Sequence, residues 1–218
     1  MKKKTLTIAI ALVLVVALAV GATWAYLTAQ TGEVKNTFVA GKIIDQNSLK
    51  LYEHVAEKQD DGAYQLTDTV ATPNADGVYN TYTVMPGVNL PKDPTVEVSN
   101  NTSTGEYYLF VKVTAGTAYS ENGPLSYTVD TAKWKPLEGA DGVYVYTKDG
   151  TNAAILTGNL TATKVLAPIG QTANTITVSS NETQVASVTT ETAALTFQAY
   201  ACQAAGMTPL AAYQEASK

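Results

Sequence analysis

Arginine is absent from the 218-residue sequence, and cysteine and histidine occur once each, at Cys202 and His54. Each shortage removes a class of function. Nucleic-acid binding needs clustered Lys or Arg to neutralise phosphates, and no such cluster stands in the body of the chain. A lone cysteine excludes an intramolecular disulfide, so stability must come from burial and backbone hydrogen bonds. A structural or catalytic zinc site needs three or four protein ligands, and His54 has no His-x-x-x-His or His-Glu-x-x-His partner. A serine triad would have to use His54, and no Gly-x-Ser-x-Gly elbow is present. Cys202 could act as a nucleophile only with a base beside it. In the apolar run Tyr200-Ala201-Cys202 it reads as a small buried hydrophobe. His54 reads as a half-exposed strand residue. Neither a Gly-x-Gly-x-x-Gly turn nor a Walker phosphate loop occurs. No cofactor and no catalytic set is expected.

Two weaker patterns remain. The adjacent acids Asp60-Asp61, with Asp68 or Asp76, could ligate calcium, but the spacing of an EF-hand loop is missing. Ordinary turn chemistry explains them as well, because Asp side chains bond their own backbone in turns. Asn-x-Ser/Thr triplets begin at Asn100, Asn101, Asn159 and Asn181, as chance produces in a Thr-rich chain.

What is abundant lies first at the N-terminus. Lys2, Lys3 and Lys4 precede an unbroken apolar run from Ile8 to Val20, and small residues follow at Gly21, Ala22, Thr23 and Ala25. This is the layout of a secretory signal peptide. It predicts a signal segment at 1–25, cleavage between Ala25 and Tyr26, and a secreted or cell-surface product. A second, weaker site follows Ala22. The competing reading is an uncleaved membrane anchor, which needs about 18 to 20 apolar residues and reaches that length only through Leu27. Beyond residue 25, eleven of the fourteen lysines face nineteen acids, a net charge of −8. That charge favours solubility and opposes binding to anionic membrane surfaces.

The body is rich in Thr, Val, Ala and Tyr, with thirteen Tyr against three Phe. Such residues suit strands with partly wet aromatic faces. Strand-like runs are predicted at 36–43, 50–55, 63–66, 78–84, 95–100, 106–114, 125–129, 142–147, 175–179 and 194–201. The run Tyr107-Tyr108-Leu109-Phe110-Val111-Lys112-Val113 reads as a central strand. Residues 55–80 are turn-rich and read as an excursion from the body. Pro209 opening an Ala-rich tail predicts one short helix. Eight to ten short strands separated by turns imply an all-β antiparallel β-sandwich, occupying residues 37–218 after an N-terminal segment at 26–36.

Three stretches carry a family resemblance. Thr23-Trp24-Ala25-Tyr26-Leu27-Thr28, followed by Asn36-Thr37-Phe38-Val39-Ala40-Gly41, resembles the signal region and first strand of substrates of the SipW type of signal peptidase. Met85-Pro86-Gly87 and Lys92-Asp93-Pro94-Thr95-Val96, leading into Tyr107–Val113, resemble the core of the TasA/camelysin family. Ala199-Tyr200-Ala201-Cys202-Gln203-Ala204-Ala205-Gly206-Met207 with Ala212-Tyr213 resembles that family's closing strand and C-terminal helix. The chain departs from the pattern at Cys202, where an aliphatic residue is usual, and at Met207 and Tyr213, where larger aromatics are frequent.

The resemblance implies a jelly-roll β-sandwich that builds extracellular biofilm-matrix fibres by donor-strand exchange. The N-terminal segment of one subunit would complete a sheet of the next. Some relatives carry a metalloprotease label, which one histidine does not support. The resulting expectation is a secreted structural subunit, not an enzyme. Its partners would be its own copies head to tail, the signal peptidase and other matrix proteins. Strand addition takes affinity from the backbone and specificity from alternate side chains, and head-to-tail contacts grow open filaments. Residues 26 to about 36 are the expected donor, with Tyr26, Leu27 and Val34 as anchors. The alternative is a monomeric secreted or surface adhesion module that binds through Tyr-rich faces.

Overall fold

The computed structural model describes residues 28–31, 36–38, 44, 47–75, 77–102, 105–167 and 174–218, the first two segments by backbone pairing alone. Among them the chain is mostly β, in antiparallel sheets, with two α-helices. The strands are β1 (Thr28–Thr31), β2 (Asn36–Phe38), β3 (Leu49–Tyr52), β4 (His54–Lys58), β5 (Tyr64–Val70), β6 (Leu90–Pro91) and β7 (Thr95–Val98). They continue as β8 (Tyr107–Ala115), β9 (Leu125–Ser126), β10 (Trp134–Pro136), β11 (Val143–Tyr146), β12 (Leu160–Lys164), β13 (Thr175–Val178) and β14 (Leu195–Gln203). The helices are α1 (Glu182–Val185) and α2 (Pro209–Ala216).

The largest sheet has six strands in the order β10-β11-β8-β14-β1-β2. Its centre is the β8–β14 pair, in continuous register from Tyr107↔Gln203 to Ala115↔Leu195. Both strands alternate apolar side chains on two faces. Odd-numbered Leu109, Val111, Ala199 and Ala201 join one core cluster. Even-numbered Tyr108, Phe110, Tyr200 and Cys202 join another. The sheet is therefore buried on both sides, which explains the nearly continuous apolar run in β8.

On the odd face the main cluster includes Leu49 of β3 and Val96 and Val98 of β7, from the three-stranded sheet β12-β7-β3. Trp134 is fully buried in this cluster. Its indole Nε1–H donates to the Lys164 carbonyl at 2.9 Å, so the polar tip of the ring is satisfied. On the even face lies α2. Thr208 caps it by accepting from the Ala211 N–H at 3.3 Å, and Pro209 sits in its first turn. The helix buries Ala212, Tyr213 and Ala216. The Tyr213 ring lies 5.6 Å from Phe110 and 5.4 Å from Tyr200.

A third small sheet, β6-β13-β9, carries its own cluster around Leu90, Leu125, Ile176 and Val178. The expected excursion is the β4–β5 ribbon, a two-stranded sheet apart from the other three, followed by a stretch without strand to Val84. The alternation at 78–84 thus predicts a strand that does not form. Side chains anchor this stretch instead of a ladder. The Thr83 N–H donates to the Tyr64 hydroxyl at 2.9 Å, and the Tyr82 hydroxyl donates to the Pro91 carbonyl at 2.6 Å. Tyr82 and Val84 pack on the third cluster.

Candidate functional site

Two places combine unusual geometry with chemistry. The first is the β14 edge. Strand β1 pairs with β14 through Thr28↔Cys202, Ala29↔Ala201 and Gln30↔Tyr200. On its other side it pairs with β2 through Ala29↔Phe38, Gln30↔Thr37 and Thr31↔Asn36. The β1–β14 ladder thus covers the C-terminal part of β14, while β8 pairs along its full length. β1 thus lies between the last strand, β14, and β2.

The second is a cleft of about 990 Å³ between the 70–84 stretch, the β3 edge and the N-terminal half of β14. Its apolar end includes Tyr119, Leu125, Ile176 and Leu195. Its polar centre includes Glu53, Asn80 and Lys92, and the chain neighbours His54 and Asp93 form a second pair beside the Glu53–Lys92 pair. Glu53 Oε1 lies 2.7 Å from Lys92 Nζ, with side chains 8% and 13% exposed. His54 Nδ1 lies 2.7 Å from Asp93 Oδ2, and the Asp93 side chain is 1% exposed. The His54 N–H also donates to Asp93 Oδ1 at 3.0 Å, and Lys164 Nζ stands 3.6 Å from Oδ2. This double clasp fixes the root of the β4–β5 ribbon to the loop before β7. Buried charges survive only when so paired.

Asn80 ties the far side of the ribbon to the same centre. Its Oδ1 accepts from the Ala56 N–H at 3.0 Å. Its Nδ2 donates to the His54 carbonyl at 2.9 Å and to Glu53 Oε2 at 3.5 Å. Lys92 Nζ lies 5.7 Å from the centre of the Phe197 ring. Burial, followed by the Glu53 charge, raises the Tyr79 and Tyr82 hydroxyls above the ordinary tyrosine range.

Ala25, Tyr26, Leu27 and Val34, the expected cleavage and anchor residues, lie outside the described residues; so does Asp76. His54 is a half-exposed strand residue, as expected, and its ring Nδ1 contacts the buried Asp93 carboxylate. Cys202 is 1% exposed, and burial pushes its thiol up to about 11, with the Glu215 charge adding to the effect. Asp60 and Asp61 are exposed at the ribbon turn, where Asp61 Oδ1 accepts from the Ala63 N–H at 3.0 Å, as turn chemistry requires. Among the described residues no group of three or more His, Cys, Asp or Glu side chains could hold a metal ion. No helix among them is long and apolar enough to cross a membrane. The Asn triplets have structural work at three positions. Asn181 caps α1, and Asn159 accepts the Asn101 N–H at 2.8 Å. The cleft residues Glu53, Asn80 and Lys92 escaped sequence reasoning, and no spacing among them could have signalled their meeting.

No protein-family model, curated protein or solved structure matches the chain.

Proposed function

We propose that the protein is a secreted structural subunit of extracellular matrix fibres, a jelly-roll β-sandwich that assembles by exchange of its N-terminal strand. The observation that carries the reading is the position of β1. It is four residues long, comes from the start of the chain, and sits between β14 and β2. Its ladder to β14 has three register pairs, so its release sacrifices few backbone bonds, each worth about 0.5–1.5 kcal/mol net. The same ladder to β14 can be supplied by the equivalent segment of another copy. Repeated head to tail, that contact gives an open filament. The resemblance to the TasA/camelysin family and the signal-peptide layout before Tyr26 agree with this reading. A signal segment upstream of the donor would delay assembly until export.

Electron microscopy of the protein processed at Ala25 tests it. Filaments are expected from the processed chain. Deleting residues 26–35 should leave a folded monomer that forms none. Filaments from the truncated protein would sink the exchange mechanism. The monomeric binding module is the alternative, favoured by the aromatic-lined cleft, and discrete particles from the processed chain would support it.

A further inference from the structure

The polar centre of the cleft holds three groups in an arrangement that the fibre reading does not use: a lysine amine, an asparagine amide and a carboxylate that touches both. Glu53 Oε2 lies 2.9 Å from Lys92 Nζ and 3.5 Å from Asn80 Nδ2. Both partners are thus anchored to one oxygen. We propose that Lys92 and Asn80 join through an intramolecular side-chain amide bond, formed without any cofactor, with Glu53 carrying the proton.

The groups an acyl transfer needs meet around Glu53. The nucleophile must be a neutral amine. Lys92 Nζ is held by both Glu53 oxygens, at 2.7 and 2.9 Å, so its proton has a direct acceptor. The electrophile is Cγ of Asn80. Its Oδ1 already accepts the Ala56 N–H at 3.0 Å, a fixed donor where negative charge develops during attack. The leaving nitrogen, Nδ2, faces Glu53.

The step balances as follows. The Lys92 ammonium passes one proton to the Glu53 carboxylate. The neutral Nζ attacks Cγ and forms the new C–N bond. Glu53 delivers its proton to Nδ2 and takes a second from Nζ as the Cγ–Nδ2 bond breaks. Ammonia leaves, the link is a neutral amide, and Glu53 ends protonated. Nothing is oxidised or reduced. The link would tie the stretch after the β4–β5 ribbon covalently to the loop before β7, in a chain whose lone cysteine can form no internal disulfide.

Mass spectrometry of the purified protein, after prolonged incubation at neutral pH, tests the proposal. The wild-type chain should weigh about 17 Da less than its sequence, the mass of the ammonia lost on acylation of the lysine amine. Chymotrypsin cuts between the two residues at Tyr82, and its digest should contain a branched peptide joining Asn80 to Lys92. Lys92→Arg and Glu53→Gln should both restore the sequence mass. Because the wild-type mass and the branched peptide are decisive, poor folding of a variant does not obscure the outcome. A wild-type chain at full sequence mass, or an ammonia loss that persists in Lys92→Arg, overturns the proposal.

Discussion

Strand exchange can be read directly from one engineered pair. Antiparallel strands alternate between pairs that exchange backbone hydrogen bonds and pairs that do not. In β14, the Gly116 N–H donates to Ala194 O at 2.8 Å and the Ala204 N–H donates to Glu106 O at 2.9 Å. Even-numbered residues therefore turn their backbone groups to β8 and odd-numbered residues turn theirs to β1. Cys202 is even, so its pair with Thr28 is of the non-bonded kind, with Cα atoms about 4.5 Å apart. That separation is within the span a disulfide tolerates. Thr28→Cys should bridge to Cys202. Inside one chain the bond closes a loop of roughly 175 residues, and the loop-entropy relation gives a stabilisation of about 5 kcal/mol. For a protein of this size that raises Tm by roughly 10–20 °C.

In an exchanged filament the same bond falls between copies. The variant should therefore run as a monomer on a non-reducing gel when oxidised before assembly, and as a ladder when oxidised after it. The buried thiol, pushed up to about 11, supplies little thiolate at neutral pH, so a redox catalyst is needed. Filaments whose cysteines are consumed but which dissolve to monomers would refute exchange. A monomer whose thiols stay free under the same oxidation would refute the Thr28↔Cys202 register itself.

Two further predictions concern stability. Asp93→Ala should destabilise the fold by about 1–3 kcal/mol, because it leaves the part-buried His54 N–H without its acceptor. Asp93→Asn, which keeps an acceptor for that N–H, should cost clearly less; equal losses in denaturant titrations would mean that the hydrogen bond contributes nothing. At alkaline pH, Cys202 is raised from 9.0 to about 11, and Tyr107 and Tyr200 from 10.0 to about 12, all chiefly by burial. A folded pKa above the unfolded one means the native state holds its proton longer, so this stability is complete below about pH 9 and is lost as pH rises through the folded values. Each group contributes on the order of 2–3 kcal/mol, so a denaturation midpoint that stays constant from pH 8.5 to 11, with tyrosinate absorbance followed alongside, would contradict the burial.

Legibility in the sequence followed the length of the pattern. β8 and β14 carry nine residues each, with apolar side chains on both faces, and their signal survives any single misplaced residue. The helix at Pro209–Ala216 announced itself by Pro209 opening an Ala-rich tail. By contrast β1 is Thr-Ala-Gln-Thr, with no apolar alternation; its strand character comes from the neighbours on either side. The misread stretch at 78–84 shows the opposite failure. Its alternating Tyr, Thr and Val residues suit a strand, but the Tyr64 and Tyr82 hydroxyls and the Asn80 amide take up backbone partners that a ladder would have used.

The cleft was invisible for a topological reason. Glu53 and Asn80 are separated by 27 residues, and Glu53 and Lys92 by 39. Only the fold, which sets the root of the β4–β5 ribbon against the loop before β7, brings them together. The charge order Glu-His against Lys-Asp is complementary only when the two dipeptides face each other, a relation that no linear pattern encodes. A buried carboxylate contacting one cation and one amide is also costly to maintain if it does nothing but fill space, since apolar residues of similar volume often serve as well or better. That cost is the argument for reading Glu53 as more than an ion-pair partner. It separates the two ends of the molecule's behaviour: β1, held to β14 by three register pairs, is suited to leave, while the root of the ribbon, held by the Glu53–Lys92 and His54–Asp93 contacts, is suited to stay.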